Sequence, residues 1–103
     1  MPSFINRQLA VNPHRKKGGK MYFAKVFITL RESILDPAGI AVENTLHKLG
    51  FSEANNLRMG KYITFNIHAD SVEKAEAQVD KMCTMLLANT IIEDYCFTLE
   101  ETV

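Results

Sequence analysis

The stretch SILDPAGIAVENTLHKLGF, residues 33–51, decides how the chain folds around it. Asp36 is a good helix N-cap, because its carboxylate accepts hydrogen bonds from the free N–H groups of a first turn. Pro37 fits the first helical position, where its missing N–H has no consequence. Val42, Thr45, Leu46 and Leu49 recur at helical spacing. Gly50 suits the left-handed position past the last turn, and Phe51 comes next, placed to fold back on the helix end. The stretch is a short helix punctuated at both ends, so the segments on either side of it must be separate elements.

On its N-terminal side lies MYFAKVFITL, residues 21–30. Tyr22, Ala24, Val26, Ile28 and Leu30 share one face of a strand, and Phe23, Lys25, Phe27 and Thr29 share the other. The first face is wholly apolar and the second half apolar, so both sides expect cover. On its C-terminal side lies LRMGKYITFNIHA, residues 57–69, in which Ile63, Phe65, Ile67 and Ala69 alternate with Tyr62, Thr64, Asn66 and His68. This reads as a long strand with one wet face. Gly60 within it marks a bend or bulge, or a close approach of another backbone.

Asp70 and Ser71 offer N-caps to a second helix, with Glu73 completing a capping box. Its apolar stripe is Val72, Ala75, Val79, Met82, Cys83, Leu86 and Leu87; Glu73, Lys74, Glu76, Asp80 and Lys81 belong in water, and Asn89 stops it. TIIEDYCFTL, residues 90–99, reads as a last strand, with Ile91, Tyr95, Phe97 and Leu99 on one face and Glu93 among them. The order β-α-β-α-β predicts an α+β plait: two helices on one face of a mainly antiparallel sheet with a long bent middle strand. The other face then needs cover, and the second apolar face of residues 21–30 points to another copy of the chain.

At 103 residues the chain is one domain, with little margin of stability of its own. Residues 1–20 carry Arg7, Arg15, Lys16, Lys17 and Lys20 and no acid, and they read as a flexible basic extension. Residues 21–103 form the single domain and hold 7 basic against 12 acidic side chains, a net of −5. An acidic domain argues against a nucleic-acid groove. No apolar run is long enough to span a membrane. Two cysteines without metal-ligand spacing, and no secretory signal, point to the cytoplasm.

No catalytic constellation emerges. There is no Gly-rich phosphate loop. His14, His47 and His68 stand apart from any motif, Cys83 lies on a core stripe, and the capping role of Asp36 already accounts for its carboxylate. Arg31, Arg58 and Lys61 sit at strand ends, where they could meet an acidic partner or a phosphate, or simply be solvated.

Three segments read together go further: VFITLRESILDPAGIAVENTLHKLGF, LRMGKYITFNI and LANTIIEDYCFTLEE. In order and spacing they resemble the PurS family, the small subunit of bacterial and archaeal phosphoribosylformylglycinamidine synthase. The resemblance covers about residues 21–101, with Ala38, the LRMGK segment and Thr90 as modest departures. It implies a part in de novo purine synthesis, as a subunit of a glutamine-dependent ligase with no active site and no cofactor of its own. ATP and Mg would be used by the large synthetase subunit, and a glutaminase subunit would release ammonia. This chain would be a homodimer joining the two and assisting ammonia transfer, with association into a tetramer left open. Arg31, Asp36, Pro37, Gly39, Arg58, Gly60 and Lys61 are then the expected partner-interface residues. The rival reading is a small-ligand regulatory module of the ACT-like plait class; an acylphosphatase-like enzyme is disfavoured, because RESILDPAG is not a glycine-rich anion cradle.

Overall fold

The computed structural model describes residues 20–102; the basic extension expected over residues 1–20 otherwise lies outside them. The elements are β1 (Lys20–Leu30), α1 (Pro37–Lys48), β2 (Gly60–Ala69), α2 (Val72–Met82), a π-helical turn (Cys83–Leu87) and β3 (Glu93–Thr102). Three strands form one antiparallel sheet in the order β2-β1-β3. The chain is the α+β fold expected, and the first strand is its centre.

β1 is hydrogen-bonded along both edges, and one of its faces is buried. Tyr22, Ala24, Val26 and Ile28 are 0–1% exposed. α2 lies against that face and sets Ala75, Val79 and Cys83 on it, beside Ile67 of β2 and Phe97 and Leu99 of β3. Ser71 caps α2, accepting from the Lys74 N–H at 3.2 Å, while Asp70 pairs with the Lys74 ammonium at 3.3 Å. Cys83 and Cys96 are both free and buried.

Four details depart from the sequence reading, each for a visible reason. The middle strand is shorter at its start than residues 57–69. It starts at Gly60, and its ladder with β1 runs unbroken from Thr29↔Gly60 to Lys20↔Ala69. Residues 57–59 stay out of the sheet because the Leu57 N–H goes to the Glu43 carboxylate (2.8 Å) and the Met59 N–H to the Asp36 carboxylate (2.8 Å). The second helix does not run on to Leu87 as an α-helix. The Ala88 N–H reaches back to the Cys83 carbonyl at 2.9 Å, a spacing of five residues, and this rotates the last turn. Leu87 packs on the core and Leu86 is left 82% exposed.

The last strand starts at Glu93 rather than Thr90. Asn89 takes the intervening residues into a turn: its carbonyl accepts from the Glu93 N–H (2.7 Å), and its side chain accepts from the Ile91 N–H (3.2 Å). Ile91 is therefore exposed, not on the inner face. Asp80, expected in water, accepts a hydrogen bond from the Tyr95 hydroxyl.

The two helices also divide the work unequally. No residue of α1 enters the core cluster, and only Gly39 of that helix is buried. Ile40, Val42 and Leu49 are 46%, 39% and 69% exposed. α1 is fastened at its start to one end of the sheet, and α2 alone forms the core with the strands.

Candidate functional site

The residues singled out from the sequence meet at that end of the sheet, where β1 finishes and β2 and β3 begin. Asp36 is 4% exposed and is the hub. One carboxylate oxygen accepts from the Gly39 N–H at 3.0 Å, the N-cap bond, and the other accepts from the Met59 N–H at 2.8 Å. These two bonds, with help from the nearby Arg58 charge, hold its carboxyl below the usual carboxylate range. A single side chain thus fixes the start of α1 and the approach to β2. Pro37 takes the first helical turn as expected.

The glycines are there for clearance. A Cβ on Gly39 would stand 2.6 Å from the Leu57 carbonyl oxygen and 2.8 Å from the Asp36 carboxylate. A Cβ on Gly60 would stand 2.7 Å from the Ile28 carbonyl oxygen. Gly60 therefore marks a close backbone approach rather than a bend. At the other end of α1, Gly50 has φ 102°, and the Gly50 and Phe51 N–H groups return to His47 (3.1 Å) and Leu46 (2.9 Å).

The three cations are engaged within the chain. Arg58 donates to the carbonyls of Arg31 and Ile34, both at 2.8 Å, and ties the β1–α1 loop to the start of β2. Arg31 donates from its guanidinium to the Thr90 carbonyl, lies 3.6 Å from the Asp94 carboxylate, and gives its backbone N–H to the Ile92 carbonyl at 2.9 Å. Lys61 pairs with Glu93 at 3.4 Å, whose second oxygen accepts from the Asn89 N–H at 2.7 Å. Arg31 and Lys61 thereby brace the turn that leads into β3. All three brace their own chain first, and any contact with another protein is made from that braced position.

Sequence reasoning missed Glu43, which carries the second bond between α1 and the 57–59 segment. An acid seven residues after an N-cap carries no signal of its own, since its partner is a backbone N–H fourteen residues away. Among the exposed apolar side chains are Leu35 (70% exposed), Met59 (45%), Met85 (73%), Leu86 (82%) and Ile91 (80%). On the sheet face away from α2, Phe27 and Tyr62 stack with centroids 5.0 Å apart, and both stay exposed. Lys25 on the same face pairs with Glu100 at 3.2 Å.

This arrangement positions backbone and apolar side chains, and Arg31, Asp36, Arg58 and Lys61 are each matched to neighbours within the chain, with Arg58 also lining a concavity beside Glu32 and Asn56. Among the described residues, no group of three His, Cys, Asp or Glu side chains is placed to hold a metal ion. Also among them, no helix is long and apolar enough to cross a membrane.

Comparison with known proteins supplies the remaining constraint. The family model described as PurS, phosphoribosylformylglycinamidine (FGAM) synthase, matches residues 23–101. The chain is 45% identical over 83 residues to the phosphoribosylformylglycinamidine synthase subunit PurS of Bacillus subtilis, covering 81% of this chain and 98% of that one. It is 43% identical over 91 residues to the subunit of the same name from Synechocystis, covering 88% of this chain and 91% of the relative. Among solved structures, the fold is similar to a chain in the structure of PurLQS from Thermotoga maritima, with TM-score 0.73 and 29% identity over 77% of this chain and 96% of that one.

Proposed function

The chain belongs to the PurS family of phosphoribosylformylglycinamidine synthase subunits, and from that membership we propose that it acts by assembly, joining the synthetase and glutaminase subunits of the complex. It is the PurS subunit of an enzyme of purine biosynthesis. In the proposed division of labour, the synthetase subunit binds ATP, Mg and the ribonucleotide, and the glutaminase subunit releases ammonia. This subunit holds no cofactor, keeps the other two in register and thereby assists ammonia transfer, in the cytoplasm.

The observation that carries this reading is where the apolar surface lies. One sheet face is closed by α2, while the opposite face presents the exposed Phe27–Tyr62 pair, and α1 presents Ile40, Val42 and Leu49 to solvent. A chain of this size gains most by covering such surface with protein. The open sheet face is the proposed homodimer contact, which a two-fold axis would make self-complementary; dimers could pair further into tetramers.

The test is glutamine-dependent formation of formylglycinamidine ribonucleotide by the synthetase and glutaminase subunits of the same organism, with and without this chain. Loss of glutamine-dependent turnover on omission, with ammonia-dependent turnover retained, is the expected result. Equal rates with and without the chain would overturn the proposed role.

A further inference from the structure

A concavity of about 490 Å³ lies between α2 and β3. Glu73, Glu76, Ala77 and Asp80 line it from the helix, and Phe97 lines it from the strand. Ala77 and Phe97 form its apolar part, with three carboxylates around them. Asp80 is fixed in place by the Tyr95 hydroxyl, which donates to it at 2.5 Å. Lys74, between Glu73 and Glu76 in sequence, pairs with Asp70 at 3.3 Å and does not line the groove. An apolar groove with a carboxylate rim suits a run of long cationic side chains, whose stems pack while their heads reach the acids.

The chain itself carries such a run. Residues 14–17 read His-Arg-Lys-Lys, within a stretch of 20 residues that holds five cations and no acid. Residues 21–103 have 7 basic and 12 acidic side chains, a net of −5, so the two charges match in size and oppose in sign. Connectivity brings them together. Lys20 opens β1 opposite Ala69, the last residue of β2, and α2 begins three residues later at Val72. The basic stretch therefore joins the sheet at the end where Glu73 and Glu76 stand. Arg15, Lys16 and Lys17 come three to five residues before Lys20, a reach of roughly 10–18 Å at full extension. Glu73 to Asp80 spans about 10 Å of helix. Gly18-Gly19 allows the backbone to reverse towards α2. Tethering this close sets the effective concentration of the run at the groove on the order of millimolar. We propose that residues 14–17 of the same chain occupy this groove, with Arg15, Lys16 and Lys17 paired to Glu73, Glu76 and Asp80. The basic run is then a built-in competitor that withholds the acidic side of α2 from other cationic partners. The proposal stands independently of the assembly reading above.

The experiment records backbone amide NMR spectra of the full chain, wild type and two variants. One variant reverses the run, Arg15→Glu with Lys16→Glu and Lys17→Glu. The other neutralises the groove, Glu73→Gln with Glu76→Gln. Neither set belongs to the core cluster, and a thermal melt checks that the fold is kept. Should the groove variant unfold, the reversed run decides alone. The expected result for the reversed run is a shift of the Glu73, Glu76, Ala77, Asp80 and Phe97 amides, with β2 unmoved. Raising salt from about 0.1 to 1 M shortens screening from roughly 10 to 3 Å. It should move the same wild-type amides the same way and leave those of the groove variant in place. Superimposable α2 amides in the wild type and the reversed run would overturn the proposal. So would a wild-type pattern that changes on dilution to match the reversed run, because the run would then reach across to a second copy.

Discussion

Gly39→Ala should destabilise the protein, against the ordinary trend for a helix. Gly39 is the third residue of α1, where Ala is normally preferred over Gly by about 0.8–1.0 kcal/mol. Here the added Cβ would lie 2.6 Å from the Leu57 carbonyl oxygen, well inside the 3.4 Å at which ordinary contact begins. That oxygen cannot swing away freely. Its segment is held by the Leu57 N–H on Glu43 and the Met59 N–H on Asp36. Relieving the clash means stretching those bonds or lifting the start of α1, a strain of the overpacking kind that costs roughly 1–3 kcal/mol. Set against the propensity gain, the net loss is up to about 2 kcal/mol.

Urea unfolding at fixed protein concentration measures it as a lower midpoint at unchanged slope. Gly50 provides the contrast. Nothing lies within 4 Å of a Cβ there, so Gly50→Ala should lose stability only through its φ of 102°. The left-handed penalty is about 1–2 kcal/mol. Asn, which tolerates left-handed backbone, should recover part of the loss at Gly50, and no side chain should recover it at Gly39. A Gly39→Ala midpoint equal to or above wild type would refute the clearance argument.

Arg58→Ala should lower the unfolding free energy by about 1–2 kcal/mol, because the guanidinium bridges two loop carbonyls; Arg58→Lys should restore little, since an ammonium lacks the fork. A variant as stable as wild type would show that the bridge contributes nothing to folding. Stability should also fall at both ends of the pH scale. Asp36 is held below its ordinary range, so its contribution is complete above the unfolded value near 4 and is lost as pH drops through the lower folded value; Asp36→Asn should flatten that acid limb. Burial pushes the Cys83 thiol up to about 11, so stability should be lost as pH rises from roughly 9 towards that value, and Cys83→Ala should remove this part of the alkaline slope.

The helix ends and the central strand were legible in the sequence because their signals are local. Asp36-Pro37 and Gly50 are turn chemistry, and the alternation from Tyr22 to Ile28 is a period of two. The convergence of Arg31, Asp36, Arg58, Gly60 and Lys61 was legible as a set, through family resemblance, but their partners were not. Arg31, Asp36 and Arg58 bond to backbone groups far along the chain, such as Ile34 for Arg58 or Thr90 for Arg31, and backbone carries no residue-type signal; Lys61 pairs instead with the Glu93 carboxylate, 32 positions away. The π-turn was hidden for a related reason. Met82, Leu86 and Leu87 fit a helical stripe in either register, and only the pull of Ala88 onto the core decides which leucine goes in. The strand expected to bend at Gly60 instead begins there, because two carboxylates on α1 and its cap withdraw the preceding N–H groups from the ladder.

The strand order β2-β1-β3 has a consequence for how the protein is made. β1 is made before β2 and β3, yet it needs a neighbour on each side, and the second of these follows β2 and α2. Met21 pairs with Thr102, and the Thr102 hydroxyl reaches the Met21 carbonyl at 3.3 Å across a sequence separation of 81. Phe97 and Leu99 cannot seal the inner layer until β3 itself has been made. During synthesis the nascent chain can pair β1 with β2 and lay α2 over them, while one edge of its most apolar strand stays open. Such an edge attracts chaperones and other nascent chains. Removing the final strand residues should therefore harm the yield of folded protein more than trimming an equal number of residues from the Asn55-Asn56 loop.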